Sequence, residues 1–408
     1  MGRLASRIEE SWSATDWRRG RVLLAVAGGW LLLLGLRFVL PALLPQIKAE
    51  FGVDNASAGV AITVVWLTYG LMQFPAGVLT DRTGERRLLV WSLAITAGST
   101  LLLSLAPVFA GFLVACAGFG LGAGLYGPAR GVLLSRTFPR RDGLAIGFTI
   151  AAGSVGAASL PVIATTVSAS YDWRTALGAL APLCLVVALL LRLWVPRTDD
   201  GDGTLSLPSV GRLVAELRRR AVVIGVAAES AATFVFQAVT AFLPTYLAVE
   251  KGIAPGVAAG LYAIVFVSSA LCQPVAGNVA DRIGYRPTLV GVAASSIVPL
   301  AALPFVEGVV PLGVAIFALG VQQGLIPVNN AYLVSQISTD VKGTAWGFSR
   351  MVFFALASTG SSVVGVMADA QLFDEAFWLL AAIASVTTAV YWWLPTAREA
   401  TDEGAVAP

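Results

Sequence analysis

The sequence contains no histidine and only three cysteines among its 408 residues. The lack of histidine excludes a histidine proton relay and a histidine-ligated metal centre. Cys116, Cys184 and Cys272 all fall in apolar runs, where cysteine acts as a small apolar residue, so they indicate neither disulfides nor a metal site. Nucleotide loops, nucleophile motifs and metal-ligand sets are also missing. The sequence therefore predicts neither an enzyme nor a cofactor.

Charged residues are scarce, at 12% of the chain, whereas hydrophobic residues make up 57%. A soluble enzyme needs a charged surface around its core, so this composition favours an integral membrane protein. The apolar residues form continuous blocks of about 20, enough to cross the bilayer as helices, and do not alternate as in a barrel. We predict an all-α membrane protein with twelve transmembrane helices near 22–44, 57–79, 88–107, 109–134, 144–168, 175–195, 221–249, 256–279, 288–305, 309–335, 344–368 and 376–394.

A thirteen-residue segment between the second and third apolar runs returns 200 residues later. The first copy is Gly77-Val-Leu-Thr-Asp81-Arg82-Thr-Gly84-Glu-Arg86-Arg87-Leu-Leu89, and the second is Gly277-Asn-Val-Ala-Asp281-Arg282-Ile-Gly284-Tyr-Arg286-Pro-Thr-Leu289. The same offset pairs other residues, such as Gln73 with Gln273. A fixed offset over many positions indicates an internal duplication, with two homologous halves following each other.

The basic residues are distributed unevenly between the two ends of the predicted helices. Of the 27 Lys and Arg, 21 lie in the amino-terminal segment or after even-numbered helices. Only Lys48, Arg174 and Lys251 lie on the other side. Because cytoplasmic loops are enriched in Lys and Arg, we predict that the protein lies in the cell membrane with both termini on the cytoplasmic side. The net charge of +3 gives no reason to expect a nucleic acid partner.

The duplication divides the chain into five predicted segments. These are a cytoplasmic amino-terminal segment at 1–21, a six-helix bundle at 22–195, a cytoplasmic linker at 196–220, a second six-helix bundle at 221–394 and a cytoplasmic tail at 395–408. Leu4, Ile8 and Trp12 recur at four-residue spacing, which suits either a short helix on the membrane surface or a solvated tail. The linker carries both signs of charge and is predicted to be flexible, with an amphipathic end.

The repeated loop resembles the G-x-L-x-D-R-x-G-R-R signature of the major facilitator superfamily. This resemblance implies a carrier of two six-helix bundles in the lipid bilayer, with helices 1, 4, 7 and 10 around a central site for a small-molecule substrate. We expect a monomer. The resemblance also implies that the loops act as conformational switches, through Gly77, Asp81, Arg82, Gly84, Arg86, Arg87, Gly277, Asp281, Arg282, Gly284 and Arg286.

The first half carries a more specific pattern. It consists of Arg37, Pro45-x-Ile47-x-x-Glu50-Phe51-Gly52, Trp66-x-x-Tyr69 and Gln73-x-Pro75-x-Gly77. This pattern resembles the anion:cation symporter family of organic-anion transporters, which implies that Arg37 contacts a substrate carboxylate. Leu36 and Ala123 stand where that family commonly has acidic residues. The coupling ion, H⁺ or Na⁺, is therefore left open.

Arg37 lies about 24 Å past the predicted cytoplasmic start of helix 1, at 1.5 Å per residue. An arginine near the bilayer centre costs at least roughly 2.5–3.5 kcal/mol, which is tolerated where it faces a watery cavity or a partner. The alternative is that Arg37 reaches the outer headgroups or helix carbonyls. The repeat offset places Gln237 at the equivalent position, and Gln322 and Gln323 fall near the middle of helix 10. We predict that these four residues bind substrate.

Two further arginines and one acid fall inside predicted helices. Glu229 and Arg350 lie at similar depths, so they are predicted either to form an ion pair or to act in gating or coupling. Arg130 lies near the cytoplasmic end of helix 4, where its side chain is expected to reach the interface. Arg37 is then left without a protein carboxylate, which favours an organic anion as substrate. The alternative is a carrier or efflux pump for a neutral or cationic compound, with Arg37 structural.

Overall fold

The computed structural model describes residues 14–139, 141–197, 210–338 and 341–395. The described residues form twelve candidate membrane-crossing segments. They are α1 (Ala14–Phe51), α2 (Asn55–Leu71 and Gln73–Thr83), α3 (Glu85–Leu105), α4 (Phe109–Thr137), α5 (Asp142–Ser170), α6 (Trp173–Trp194), α7 (Arg220–Val249), α8 (Pro255–Ile283), α9 (Tyr285–Phe305), α10 (Val309–Gln336), α11 (Lys342–Asp369) and α12 (Phe373–Trp392). Eleven are long and apolar enough to cross a membrane, and α2 is the twelfth when its two arms are taken together. The predicted all-α membrane fold is confirmed.

Among the segments whose helices are interrupted, α2 and α10 each break shortly before a proline, which removes a backbone hydrogen bond. The two arms of α2 meet at Met72 with a bend of 45°, three residues before Pro75. In α10, a single 3₁₀ turn at Gln322–Gly324 precedes Pro327. Proline has no N–H and its ring clashes with the carbonyl four residues earlier, which explains both breaks. A 3₁₀ turn inside a helix often marks a functional position.

The two copies of the repeated loop have the same backbone structure. Gly84 has φ +77° and ψ 151°, and Gly284 has φ +94° and ψ 165°. In both copies the glycine N–H bonds to a carbonyl four residues back, closing one helix before the next begins. The positive φ explains why glycine occupies both positions, since a side chain would be strained there. We call the side of the molecule that carries Gly84 and Gly284 the loop face.

Helices α1–α6 form the N-half and α7–α12 the C-half. Very close helix contacts occur within and between these halves. A Cβ added at Gly156 of α5 would lie 2.1 Å from the carbonyl oxygen of Leu31 in α1. One added at Gly59 of α2 would lie 2.5 Å from the carbonyl oxygen of Ser361 in α11. Small residues permit such contact between membrane helices, so these glycines fix how closely the helices pack.

Several predicted features fall outside the described residues. These are Leu4, Ile8 and Trp12, residues 198–209 of the linker and the tail from 396 to 408. The end of the linker forms the helix Val210–Leu217. There, Glu216 accepts a hydrogen bond of 2.6 Å from the Ser338 hydroxyl, and Arg219 donates one of 2.9 Å to the Gln336 carbonyl. The described end of the linker is therefore attached to the C-half.

The orientation of the chain in the membrane stays a prediction, and two glycines offer a matched test. Gly143 and Gly256 are each the second residue of a helix, are exposed, and have no atom within 4 Å of an added Cβ. Gly143→Cys and Gly256→Cys, each in a background lacking the three native cysteines, should fold equally well. Because the loop face is predicted to be cytoplasmic, an impermeant thiol reagent added to intact cells should label Gly256→Cys only. The reverse pattern would contradict the topology.

Candidate functional site

A large cavity lies between the two halves. Its volume is about 1010 Å³, and its walls come from α1, α2, α4 and α5 of the N-half and from α7, α8, α10 and α11 of the C-half. The sequence predicted α1, α4, α7 and α10 around a central site, and all four do line the cavity. The cavity reaches from Arg37 and Phe38 in the interior to Asp81 and Arg136, which are exposed at the loop face. It is therefore open toward the loop face.

Aromatic rings close the inner end of the cavity. Phe38 of α1 lies 4.4 Å from Phe266 of α8 and 6.1 Å from Phe236 of α7, measured between ring centroids. Beyond this layer the Thr63 hydroxyl in α2 bonds to the Ser358 carbonyl at 2.8 Å and to the Ser362 hydroxyl at 2.7 Å. These contacts join the two halves. The face opposite the loops is therefore sealed by apolar packing first and hydrogen bonds second.

At the opposite face, an aspartate of one half caps a helix of the other. Asp369, at the end of α11, accepts hydrogen bonds from the backbone N–H groups of Asn55 at 2.9 Å and Ala56 at 2.7 Å. The next N–H, of Ser57, bonds to Asp54, and the side-chain and backbone hydrogen bonds from Ser57 hold the pKa of the Asp54 carboxyl below its usual range. Free N–H groups and the helix dipole favour carboxylates at this position. The first turn of α2 is thus completed by the C-half.

Arg37 lies at the inner end of the cavity with aromatic rings over its guanidinium group. The guanidinium carbon is 3.9 Å from the ring centroid of Tyr69 and 4.7 Å from that of Trp66. The side chain is only 4% exposed, and its Nε and Nη2 atoms are buried without a hydrogen-bond partner. None of the ion pairs among the described residues involves Arg37. The rings hold the cation in place, and its N–H groups remain available for a ligand.

Arg130 and Arg350 also line the cavity. The Arg130 guanidinium lies 4.1 Å from the Trp30 ring and donates a hydrogen bond of 3.4 Å to the Thr149 hydroxyl. The expectation that Arg130 reaches the membrane interface is therefore wrong, because α1 provides a ring that holds it at the cavity wall. Arg350 lies 5.6 Å from the Phe354 ring, and its Nε is also unpartnered. Arg37, Arg130 and Arg350 carry the same charge and line one cavity, so their charges repel each other.

Glu229 and Arg350 do not form the predicted direct ion pair. Both line the cavity, but no pair within 4.0 Å joins them among the described residues. Glu229 is 2% exposed and accepts a hydrogen bond of 3.4 Å from the Tyr391 hydroxyl of α12. Arg350 instead lies between the rings of Trp346 and Phe354. A role of the two residues in gating or coupling is left as the other hypothesis.

The predicted glutamines divide into two groups. Gln322 and Gln323 line the cavity from the 3₁₀ turn of α10, where Gln322 donates to the Ala232 carbonyl at 3.1 Å. Gln237 does not line it: the side chain is fully buried, and its amide N and O have no partner. The reason is that α7 is rotated about its own axis relative to its repeat equivalent, α1. The lining residues of α1 are Trp30, Leu34, Arg37 and Phe38, whereas those of α7 are Glu229, Ala232, Thr233 and Phe236, which is one position earlier than the offset predicts.

Sequence reasoning missed several cavity residues. Gln73 and Gln273 both line the cavity at equivalent repeat positions, and the Gln73 side-chain oxygen has no partner. The repeat offset could have identified this pair as site residues. Asn330 also lines the cavity with an unpartnered side-chain oxygen. The walls thus carry amide groups on both halves in addition to the arginines.

The sequence and fold match known membrane transporters over most of the chain. The family model of the Major Facilitator Superfamily matches residues 25–267 and 230–407. The chain belongs to the major facilitator superfamily.

Named relatives and a solved structure of this superfamily agree with the assignment. The chain is 25% identical over 391 residues to the multidrug resistance protein MdtG of Enterobacter lignolyticus, covering 92% of each chain. It is 23% identical to the uncharacterized MFS-type transporter YceJ of Bacillus subtilis, over 81% of this chain and 85% of that one. The crystal structure of a bacterial homolog of the human lysosomal transporter Spinster shares 16% identity with a TM-score of 0.80, covering 92% of this chain and 97% of that one. This facilitator is therefore a multi-pass membrane transporter and not an enzyme.

Two charged residues of the first signature loop of this facilitator, Asp81 and Arg82, make no side-chain bond to the described part of the facing half in this conformation. Asp81 and Arg82 are exposed, and the described residues give neither a hydrogen bond nor an ion pair to them. Glu85 pairs with Arg136 at 2.5 Å, within the N-half. Of the eleven loop residues predicted to act as conformational switches, Gly77 and Asp81 line the cavity and the others do not. The first loop therefore forms part of the cavity entrance.

We expect the Asp369 cap to stabilise the closed state of the opposite face. Asp369→Asn removes the charge and one of the two acceptor oxygens. A favourable charge at a helix N-terminus is typically worth about 0.3–1 kcal/mol, so the face should open in a larger fraction of molecules. Asp374→Asn is the matched control, because Asp374 accepts a 2.8 Å bond from Tyr246 within the C-half. Spin labels at Tyr171→Cys and Gly256→Cys report the distance between halves on this face. Longer distances in Asp369→Asn but not in Asp374→Asn are expected; identical distributions in parent and Asp369→Asn would contradict the role of the cap.

Proposed function

We propose that this facilitator transports a small organic anion whose acid group binds Arg37. The observation that carries the proposal is the guanidinium of Arg37. The residue is 4% exposed and lines the cavity, and two of its guanidinium nitrogens have no hydrogen-bond partner. A buried cation without a counter-charge is costly, and a substrate carboxylate or phosphate removes that cost. The planar guanidinium donates two parallel hydrogen bonds to either group. Tyr69 and Trp66 hold the fork in place before the substrate arrives.

The charge of the cavity supports an anion over a cation. Its charged wall residues are Arg37, Arg130, Arg136 and Arg350 on the positive side and Asp81 and Glu229 on the negative side. Asp81 and Arg136 lie at the exposed rim, which leaves three arginines and one glutamate in the interior. A positive interior attracts anions and disfavours cations. The aromatic and amide groups around the arginines would contact the uncharged part of the substrate.

The runner-up is efflux of a neutral or cationic compound. It is favoured by the similarity to MdtG, whose name describes a multidrug resistance protein. In that case Arg37 would be structural, and its aromatic contacts would be its whole role. The unpartnered N–H groups of Arg37 and the positive interior argue for the anion. Binding of an anion would support the first function, and binding of a neutral compound or a cation alone would support efflux.

The transport cycle we propose is alternating access with ion coupling. With the loop face in the cytoplasm, this conformation is open inward, and the Thr63 and Asp369 contacts close the outside. The second state opens the outside and brings the loop face together, with Asp81 and Arg82 making charge contacts to the facing half. Glu229 is our candidate for the coupling site of a symporter, because it is a buried carboxylate on the cavity wall near Arg350. Coupling and substrate sites then share one cavity.

Arg37→Gln should nearly abolish binding of the anion, and Arg37→Lys should weaken it, because Lys keeps the charge but loses the fork. Truncating one side of such a pair typically costs ~2–5 kcal/mol, a drop in affinity of more than tenfold. The measurement is thermal stabilisation of the purified protein by a panel of organic anions and cations, since a ligand at 100 times its Kd stabilises by about 2.7 kcal/mol.

The control for this test is Arg174→Gln. Arg174 also lies over a tryptophan ring, 4.6 Å from Trp173, but it pairs with Glu50 at 2.7 Å outside the cavity. This variant should bind the anion as the parent does. The anion proposal is wrong if Arg37→Gln binds the same anion as tightly as the parent, or if only cations stabilise the parent.

Asp81→Asn should slow transport far more than it weakens binding, because the contacts of Asp81 are expected to form only in the outward-open state. Asp142→Asn is the control, as an exposed aspartate of the loop face whose described hydrogen bond, 2.8 Å from the Gly143 N–H, is local. Uptake of the stabilising anion into proteoliposomes and its Kd are measured for both. Parent-like uptake by Asp81→Asn at equal protein amount would assign the loop a topological role only.

A further inference from the structure

The positive charge of the cavity exceeds what one acid group can neutralise. Three arginines and Glu229 lie in the interior, so the excess there is two positive charges. The full set of wall residues gives the same excess, because the rim adds one Asp81 and one Arg136. A monocarboxylate bound to Arg37 would leave one positive charge uncompensated in the membrane interior, which is unfavourable.

We propose that the substrate is a dianion with two separated acid groups, one bound by Arg37 of the N-half and the other by Arg350 of the C-half. The inference rests on the proposed function, in which Arg37 binds an anion, and it adds Arg350 as a second anion site. The charge and the position of Arg350 both point to this assignment. While Glu229 is ionised and no coupling ion is bound to it, Glu229 balances Arg130, and the interior is neutral when the substrate is bound.

Arg37 and Arg350 flank one aromatic cluster that joins the two halves. Trp66 of α2 is stacked on Phe354 of α11, with centroids 5.9 Å apart and an interplanar angle of 12°. Tyr69 meets the same Phe354 ring edge-on at 5.0 Å. The Arg37 guanidinium lies over Trp66 and Tyr69, and that of Arg350 lies 5.6 Å from Phe354. The two cations are thus held near the boundary between halves by rings that contact each other.

Both arginines have donors ready for a ligand. The Nε atom of each is buried without a hydrogen-bond partner, and both side chains line the same cavity. No ion pair among the described residues occupies either guanidinium. A molecule with acid groups at its two ends could therefore bond to both halves at once. A monoanion could bond to Arg37 but would leave Arg350 unsatisfied.

The bridge also gives the substrate a way to drive closure of the loop face. Without ligand, Arg350 and Arg37 repel each other across the boundary between halves. A ligand shifts a conformational equilibrium only by binding one state better than the other. A dianion meets this condition, because its second acid group gains by drawing the halves together, whereas a monoanion gains little.

The test compares matched anions on the purified full-length protein at constant ionic strength. The probe pairs are butyrate with succinate and benzoate with isophthalate, and phenyl phosphate represents two charges on a single group. We expect each dicarboxylate to bind the parent at least about tenfold more tightly than its monocarboxylate. Arg350→Gln should remove most of this ratio by weakening dicarboxylates, and Arg37→Gln should weaken both classes.

Arg130→Gln is the matched control, because it removes one cavity charge outside the Trp66–Phe354 cluster. It should weaken both classes of anion and lower the ratio of their affinities much less than Arg350→Gln does. Spin labels at Gly143→Cys and Pro287→Cys, both exposed on the loop face of opposite halves, should approach each other with a dicarboxylate and not with a monocarboxylate.

The outcomes separate this inference from the proposed function. Equal affinity of mono- and dicarboxylates for the parent overturns the bridge while leaving an anion transporter. The bridge is also overturned if Arg350→Gln keeps the ratio of dicarboxylate to monocarboxylate affinity, or if Arg130→Gln lowers that ratio as much as Arg350→Gln does. If phenyl phosphate binds more tightly than either dicarboxylate, the site prefers a ligand with one doubly charged group, and the bridge is overturned as well. Stabilisation of the parent by cations alone contradicts the proposed function itself.

Discussion

The structure depends on one constraint: the Arg37 guanidinium is buried between the two halves, and the part of the chain that the structure describes offers it no ion-pair partner. Because Arg37 is almost completely buried, its charge must be compensated by rings, water or a ligand. Tyr69 and Trp66 supply part of that compensation and fix the orientation of the fork. The same rings contact Phe354 of the other half. The group that would bind the substrate is therefore mechanically connected to the surface along which the halves must move.

The contacts that close the face opposite the loops are the second feature on which the mechanism depends. Gly59 lets the backbones of α2 and α11 contact each other directly. Thr63 and Asp369 add hydrogen bonds between the halves that form only when this face is closed. Tight packing without polar groups would favour one state strongly. Bonds to exposed groups such as Asp369 can be exchanged for water at small cost, which keeps the difference between states within the range that a ligand can overcome.

Much of this architecture follows from the sequence because its physical signals are local or repeated. A helix satisfies its backbone hydrogen bonds within one segment, as lipid requires, and the apolar residues do not alternate as in a barrel, so twelve apolar runs become twelve spans. The offset of 200 also places cavity residues correctly in α8 and α11: Gln273 corresponds to Gln73 and Phe354 to Ser154, and all four line the cavity. In these helices the two repeats present the same side to the centre.

The errors arise where the arrangement of side chains depends on neighbours distant in sequence. Gln237 has the right repeat position, but the cavity side of α7 is displaced by one residue, which in a helix is a rotation of roughly 100°. Arg130 has the depth of an interfacial residue, yet Trp30 of α1 holds it at the cavity wall. The depth of Glu229 suited an ion pair with Arg350, but depth along the membrane does not fix the direction around a helix axis. Tertiary packing decides these points.

The most direct measurement is a structure of the protein with the anion that stabilises it most, labelled with bromine so that its position is seen by anomalous scattering. The account predicts density in the cavity beside the Trp66–Phe354 pair, with an acid group within about 3 Å of the Arg37 Nε or Nη2 atom. A ligand bound elsewhere in the cavity, with the Arg37 N–H groups still unpartnered, would contradict it.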